Sequence, residues 1–173
     1  MLERILIAGS GGQGIVSLGR LLARAAVETI PYITFFPSYG AEVRGGTCHC
    51  QVMLSSEEIA SPIAEQFDFS IIMNQQSANK FLPRLAGNGL AVINQTLCKV
   101  KSDKRFALIP ATEIADQLGN KQSANLVMLG ALIARNKLFL PDNAESKIKL
   151  SFTDMGQTVI DCNLKAFRTG LSR

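Results

Sequence analysis

A short apolar segment near the start of the chain runs directly into a glycine-rich turn. Residues Ile5–Ala8 precede Gly9-Ser10-Gly11-Gly12-Gln13-Gly14, and apolar residues at helical spacing follow from Ile15 to about Thr29. Glycines at this spacing allow a tight turn after a strand, close approach of the backbone to an anion, and close packing of the next helix. Because a helix N-terminus also presents free N–H groups and partial positive charge, the segment predicts a phosphate-binding site.

The second predicted strand argues against a dinucleotide as the ligand of this site. A dinucleotide-binding fold usually carries an acidic residue about 20 residues after the glycines, at the tip of its second strand, for the ribose hydroxyls. Here that strand, Tyr32–Phe36, ends in Pro37-Ser38, and Glu28 lies in the preceding helical segment. A stand-alone dinucleotide-binding protein is therefore only the alternative hypothesis.

Composition and charge indicate a globular protein that binds no nucleic acid and does not span a membrane. The chain has 173 residues, 47% of them hydrophobic, and a net charge of +4, so we expect one domain spanning residues 1–173. The basic residues between 99 and 105 lack interleaved aromatic side chains, so they predict a solvated loop or a docking patch for an acidic partner or phosphate. No apolar run reaches the length of a membrane span, and the early first strand leaves no room for a signal peptide, which predicts a cytoplasmic protein.

Predicted strands and helices alternate along most of the chain. This order predicts an α/β fold, a single doubly wound, mainly parallel, Rossmann-like sheet with helices on both faces. Ligands of such sheets bind at the carboxyl ends of the strands, which brings the glycine turn, the 37–46 segment and Asn74-Gln75 to one edge. Beyond the first two strands, further strands are predicted at Thr47–Leu54, Phe69–Met73, Leu90–Asn94 and Ala107–Pro110, with a short extension at Glu57–Ala60 and a turn at Gly87-Asn88-Gly89. Further helices are predicted from Asn74 to about Pro83, over Ala111–Leu118 and Ser123–Arg135, and from Asp142 onward.

The predicted helix Ser123–Arg135 is apolar almost all round, so it must be buried. Packing against the sheet would bury the helix. If one face of the helix also met a second copy of the chain, the protein would be a dimer.

The cysteines predict buried thiols and not a metal centre. Cys48 and Cys50 flank His49 on a predicted strand, where alternate side chains point to opposite faces. Two thiols without further clustered ligands make a poor zinc site, and the spacing of the four cysteines predicts no iron–sulfur cluster.

Five segments spread over the chain carry a resemblance to one family. They are residues 9–14, Pro37-Ser38-Tyr39-Gly40-Ala41-Glu42-Val43-Arg44-Gly45-Gly46-Thr47, Met73-Asn74-Gln75, Pro110–Ala115 and Asn125–Ala131. With these segments the chain resembles the gamma subunits of 2-oxoacid:ferredoxin oxidoreductases, in particular the 2-oxoglutarate type within the pyruvate/ketoisovalerate gamma-domain family. The segment that begins at Tyr39 is far more specific than the glycine turn.

The resemblance implies one subunit of a multi-subunit enzyme. Enzymes of this family decarboxylate a 2-oxoacid oxidatively, pass the electrons to ferredoxin and transfer the acyl group to coenzyme A. The resemblance implies that this chain contributes coenzyme A binding and part of the active-site wall, acts on 2-oxoglutarate, and is inactive alone. Thiamine diphosphate, magnesium and iron–sulfur clusters are expected on the alpha, beta and delta (ferredoxin-like) partner subunits. A gamma-type subunit for pyruvate, a branched-chain 2-oxoacid or indolepyruvate is the alternative within the family.

The resemblance also implies two sets of site residues, with no catalytic residue and no metal ligand. The cofactor-binding set would hold coenzyme A phosphates and consists of Gly9, Ser10, Gly11, Gly12, Gln13, Gly14, Arg44 and Asn74. The loop set would face a partner subunit or the active site and consists of Tyr39, Gly40, Glu42, Arg44, Gly45 and Gly46. Two of these residues also have purely structural explanations, Arg44 as the ion-pair partner of Glu42 and Asn74 as a helix cap.

Overall fold

Six strands form one sheet, and six helices surround it, in the part of the chain that the computed structural model describes, residues 1–38, 47–136 and 141–173. The strands are β1 (Leu2–Ser10), β2 (Tyr32–Ser38), β3 (Thr47–Ser55), β4 (Phe67–Ile72), β5 (Leu85–Asn94) and β6 (Phe106–Ile109). The helices are α1 (Ile15–Ala26), α2 (Gln75–Phe81), α3 (Ala111–Gln117), α4 (Ala124–Asn136), α5 (Pro141–Ser151) and α6 (Gln157–Leu171).

The sheet is mixed, with the strand order β2-β3-β1-β4-β5-β6. Strands β1, β4, β5 and β6 are parallel neighbours, whereas β3 is antiparallel to both β1 and β2. The predicted α/β fold with a mainly parallel sheet is confirmed, but the antiparallel β3 is an addition to it. The link between β2 and β3 is shorter than the roughly dozen residues that a parallel crossover needs, which is why these strands pair antiparallel.

Helices cover both faces of the sheet, as predicted. Five helices (α1, α3, α4, α5 and α6) share one apolar core with the side chains of Ile5, Ile7, Val52 and Ile71. Helix α2 packs on the other face with Leu6, Ala8 and Ile93. Because alternate residues of β1 enter different cores, this strand has no solvent-facing side in its centre.

The turn predicted at Gly87-Asn88-Gly89 is wrong, because these residues lie inside β5. The pairing of β5 with β4 shifts register between Phe67 and Phe69. A Cβ atom on Gly89 would come within 2.9 Å of the Phe67 carbonyl oxygen, so this glycine permits close approach of two strands. The short extension predicted at Glu57–Ala60 is also wrong, since these residues form only bends and irregular backbone.

Helix α4 is buried by its own chain, as its composition predicted. Its central residues from Leu126 to Leu132 are at most 3% exposed, and α6 packs along it. The two helices approach most closely at Gly130 and Gly170: a Cβ atom on Gly130 would overlap the Phe167 carbonyl oxygen, and one on Gly170 would overlap that of Val127.

We expect Gly130→Ala to lower the free energy of unfolding by about 3 kcal/mol, because the added methyl group forces the α4 and α6 backbones apart. Urea-induced unfolding monitored by circular dichroism measures this. The matched control is Gly87→Ala, where an added Cβ meets no atom within 4 Å and the effect should stay within roughly 0.5 kcal/mol. Equal stability of the two variants would contradict the close α4–α6 contact.

Candidate functional site

The carboxyl ends of β1 and β4 enclose a crevice between strands whose following helices lie on opposite faces of the sheet. After β1 the chain enters α1 on one face, and after β4 it enters α2 on the other. Such a point is the usual ligand-binding position of an open α/β sheet. Two sequence-predicted residues, Ser10 and Asn74, meet across it, since the Asn74 Nδ2 atom donates a hydrogen bond to the Ser10 hydroxyl oxygen.

The glycine turn between β1 and α1 has a backbone that requires glycine at two positions. Gly12 has φ +86° and Gly14 has φ +70°, both in the left-handed region that other residues rarely adopt. Gly9 has a different role, because a Cβ atom there would lie 2.8 Å from the Met73 Cβ. Gly12 and Gly14 therefore shape the turn, whereas Gly9 permits close packing of β1 on the residue that follows β4.

Gln13 fixes the shape of the turn from within. Its Oε1 atom accepts a 2.7 Å hydrogen bond from the Ser10 backbone N–H, and its Nε2 atom lies 3.5 Å from the Met73 carbonyl oxygen. Its own backbone N–H donates to the Ser10 carbonyl oxygen at 3.2 Å. Both the side chain and the N–H of Gln13 are thus engaged in the turn, and the N–H groups that remain available to an anion belong to its neighbours.

Within the described residues, no side chain caps the N-terminus of α1. Gly14 occupies the N-cap position without a side-chain hydrogen bond, and the first turn of the helix contains no acidic residue. The first-turn N–H groups of Ile15, Val16 and Ser17 find no acceptor among the described residues. Free donors combined with the partial positive charge of a twelve-residue helix make this end an electrostatic site for an anion.

Asn74 performs the capping role that its position predicted. Its Oδ1 atom accepts a 2.8 Å hydrogen bond from the Ser77 N–H and so caps α2, while its Nδ2 atom bonds Ser10. The side chain therefore links the start of α2 to the end of β1.

Two further polar residues belong to this edge and were not predicted as site residues. Asn94, at the end of β5, is fully buried, and its Nδ2 atom donates to the Thr112 Oγ1 at 2.8 Å and to the Met73 carbonyl oxygen at 3.4 Å. Asn125, near the start of α4, has its Nδ2 atom 3.5 Å from the Gly14 carbonyl oxygen. A polar residue closing an apolar strand was a usable sequence signal for Asn94, whereas the contact of Asn125 spans 111 residues and had none.

The predicted loop set, Tyr39, Gly40, Glu42, Arg44, Gly45 and Gly46, lies outside the described residues. The residues on either side of that segment are at the same edge as the glycine turn. Ser38 ends β2, and Thr47 begins β3 directly opposite Ser10 of β1.

The tip of β2 is separated from the glycine turn by a strand. Because β3 lies between β1 and β2, the two parallel strands are two inter-strand spacings apart, about 10 Å, and not neighbours as in a dinucleotide-binding fold. The tip itself, Phe36-Pro37-Ser38, has no carboxylate.

The cysteines of β3 are structural. Cys48 and Cys50 point into the core beneath α1, while the ring of His49 points to the other face, 4.8 Å from that of Phe81, so the predicted alternation is confirmed. Burial, together with the neighbouring Cys48, raises the pKa of the Cys50 thiol to about 12, which disfavours the thiolate needed for metal binding. Across the described residues, no three His, Cys, Asp or Glu side chains are placed to hold a metal ion.

Comparison with known proteins gives the family of the chain. Residues 4–173 match the family described as pyruvate ferredoxin/flavodoxin oxidoreductase. The chain belongs to this family. The resemblance carried by the five sequence segments is thereby confirmed.

Two relatives and one solved structure illustrate the range of the pyruvate ferredoxin/flavodoxin oxidoreductase family. The ketoisovalerate oxidoreductase subunit VorA of Methanothermobacter thermautotrophicus is 36% identical over 96% of this chain, which spans about a third (35%) of that relative. The 2-oxoglutarate synthase subunit KorC of Methanothermobacter marburgensis is 30% identical over 98% of this chain and 95% of its own length. The 2-oxoglutarate:ferredoxin oxidoreductase of Magnetococcus marinus, solved with 2-oxoglutarate, coenzyme A and succinyl-CoA bound, superposes with a TM-score of 0.87 and 25% identity over 99% of this chain and 30% of that one.

None of the helices in the described part of the chain combines the length and hydropathy needed to cross a bilayer.

Substitutions at Asn74 separate its capping role from its other contact. We expect Asn74→Ala to destabilise the protein by about 1 kcal/mol, because α2 loses its cap. Asn74→Asp keeps an oxygen that accepts from the Ser77 N–H, so its stability should stay within about 0.5 kcal/mol of the wild type. Thermal and urea unfolding of both variants measure the difference, and equal destabilisation would contradict the capping role.

Proposed function

We propose that this chain is the gamma-type component of a 2-oxoacid:ferredoxin oxidoreductase and that its glycine turn binds the pyrophosphate of coenzyme A. The observation that carries the proposal is the uncapped N-terminus of α1 behind a turn with positive φ at Gly12 and Gly14, placed at the topological switch point of the sheet. In this role the N–H groups around Gly11, Gly12 and Gly14 face the phosphates, and the Ser10 hydroxyl lies beside them.

Coenzyme A suits this site better than a dinucleotide does. Its pyrophosphate needs the same free N–H groups, but it needs no acidic residue at the tip of the second strand. The interposed β3 and the absence of a carboxylate at Phe36-Pro37-Ser38 both argue against NAD. A family member of matching fold, from Magnetococcus marinus, was solved with coenzyme A bound.

The rest of the reaction is assigned to partner subunits. The buried thiols of Cys48, Cys50 and Cys98 are unsuited to cluster ligation, which supports locating iron–sulfur clusters, thiamine diphosphate and magnesium on alpha, beta and delta subunits. The residues of the undescribed loop set, Arg44 included, are proposed to complete the active-site wall, and Asn74 to line its edge. We place the protein in the cytoplasm, in a complex that reduces ferredoxin.

The substrate class is a 2-oxoacid, with 2-oxoglutarate as the first candidate and a branched-chain 2-oxoacid as the second. Identity to VorA, a ketoisovalerate oxidoreductase subunit, favours the second, while the KorC relatives and the Magnetococcus marinus structure favour the first.

The test is the activity of the complex purified through a tag on this chain and produced with its partner subunits. We expect reduction of ferredoxin that requires both a 2-oxoacid and coenzyme A, measured by absorbance with 2-oxoglutarate, ketoisovalerate, pyruvate and indolepyruvate in parallel. The 2-oxoacid with the highest kcat/KM identifies the substrate. Ferredoxin reduction that does not depend on coenzyme A, or a chain that binds NAD in its place, would contradict the proposal.

A charge placed in the turn tests the phosphate site itself. Gln13→Glu keeps the acceptor for the Ser10 N–H but adds a negative charge beside the N–H groups of the turn, so we expect the Kd for coenzyme A to rise at least tenfold, about 1.4 kcal/mol. Isothermal titration calorimetry on the purified complex measures the Kd. The matched control is Gln66→Glu, an exposed residue just before β4 at the opposite edge of the sheet, which should leave the Kd unchanged. Equal Kd values for the two variants would place the phosphates elsewhere.

A further inference from the structure

A cavity of about 250 Å³ opens beside the first turns of α1, where α1, α4 and the end of α5 meet. Ser17, Arg20 and Arg24 line it from α1, Asn125 from α4, and Ser151 and Phe152 from the end of α5. Ser17, Arg20 and Arg24 stand three and four residues apart, so they form one stripe along the helix. The lining contains two arginines and no carboxylate among the described residues.

The two arginines have no counter-ion in the described part of the chain. Both side chains are exposed. Among the described residues, neither Arg20 nor Arg24 takes part in a hydrogen bond or an ion pair. The acidic residue one turn beyond Arg24 is Glu28, and its carboxylate is held by Lys147 of α5 at 2.6 Å. Like charges four residues apart repel each other on a helix, so this pair carries a small cost in stability that no described acidic residue compensates.

The cavity lies close to the glycine turn, and Asn125 contacts both, since it lines the cavity and also contacts the Gly14 carbonyl oxygen. Arg20 lies six residues after Gly14, on the order of 9 Å along the helix. The floor between these polar groups is apolar, formed by Leu18, Leu21 and Leu126 together with the half-buried ring of Phe152.

We propose that this cavity receives the 3′-phosphorylated adenosine end of coenzyme A, with Arg20 and Arg24 binding the 3′-phosphate. The inference rests on the proposed binding of the coenzyme A pyrophosphate at the glycine turn and extends it to the other end of the nucleotide. A pyrophosphate at the N-terminus of α1 leaves the adenosine within reach of the cavity. A volume of about 250 Å³ is close to that of one adenosine with its phosphate and too small for the whole ligand. Arginine matches the geometry of a phosphate with paired N–H donors, and the apolar floor offers a surface for the base.

The decisive measurement is the ratio of the Kd for dephospho-coenzyme A to the Kd for coenzyme A, obtained by calorimetry on the assembled complex. For the wild type we expect a ratio of about ten or more, because only coenzyme A carries the 3′-phosphate. In Arg20→Gln/Arg24→Gln the ratio should fall to about one, with the Kd for dephospho-coenzyme A unchanged. The coenzyme A affinity of this variant should also depend less on salt than that of the wild type.

The charge-matched control is Lys149→Gln/Lys165→Gln, which removes two exposed lysines of α5 and α6 that do not line this cavity. We expect this control to keep the wild-type ratio, and a ratio that falls there and not in the arginine variant overturns the proposal. Thermal unfolding of the arginine variant should show an equal or slightly higher Tm, since the variant relieves repulsion. Loss of partner subunits from the arginine variant during purification would instead assign the arginines to an acidic protein surface and overturn the proposal.

Failure of this inference is distinguishable from failure of the proposed function. Gln13→Glu should weaken both ligands equally and leave the ratio at its wild-type value, because it acts on the pyrophosphate. If Gln13→Glu weakens both ligands while the arginine variant keeps the wild-type ratio, coenzyme A binds but its 3′-phosphate lies elsewhere. If the wild-type complex binds neither ligand, both proposals are overturned.

Discussion

The junction between β1 and α1 is the feature on which the rest of the site depends. β1 pairs with β3 on one side and β4 on the other, and its side chains enter both hydrophobic cores, so the position of its last residue, Ser10, is fixed. The chain must then turn into a helix within four residues, which it does through two glycines with positive φ. The result is a helix N-terminus that is rigidly placed at the switch point of the sheet but has no cap of its own.

The N-termini of α1 and α2 differ in their capping. Asn74 caps α2 and holds Ser10, so that end is satisfied within the fold. The N-terminus of α1 lacks such a side chain, and Gln13, which is close enough to contribute, instead binds back to the Ser10 N–H. A helix N-terminus without a side-chain cap lowers the free energy of unfolding, typically by about 1 kcal/mol relative to a good cap. An anion that binds to the free N–H groups offsets this loss.

Sequence reasoning predicted those parts of the fold that depend on local pattern. The glycine turn, the buried α4, the Asn74 cap and the alternation of Cys48, His49 and Cys50 all follow from residue type and spacing over a few positions. The antiparallel direction of β3 depends on which strands pair, and local pattern does not give that. Gly87 and Gly89 lie inside β5 where its pairing with β4 shifts register, which also depends on a distant strand. Contacts between distant segments, such as Asn125 with Gly14, leave no periodic trace in a single sequence.

The same distinction between local sequence pattern and contacts of distant segments applies to the site. The glycine turn could be found because backbone geometry demands glycine at Gly12 and Gly14, whereas Arg20 and Arg24 look like ordinary solvent-facing residues of an amphipathic helix. Only the fold shows that Glu28 pairs with Lys147, that the arginine stripe borders a cavity, and that Asn125 in the lining of this cavity contacts Gly14. Within the described residues, α1 presents N–H groups without an acceptor at its end and guanidinium groups without a counter-ion along one side, so it has two separate sites for negative charge. Coenzyme A, with a pyrophosphate and a 3′-phosphate on the two sides of one ribose, matches that arrangement, whereas NAD carries no second phosphate site.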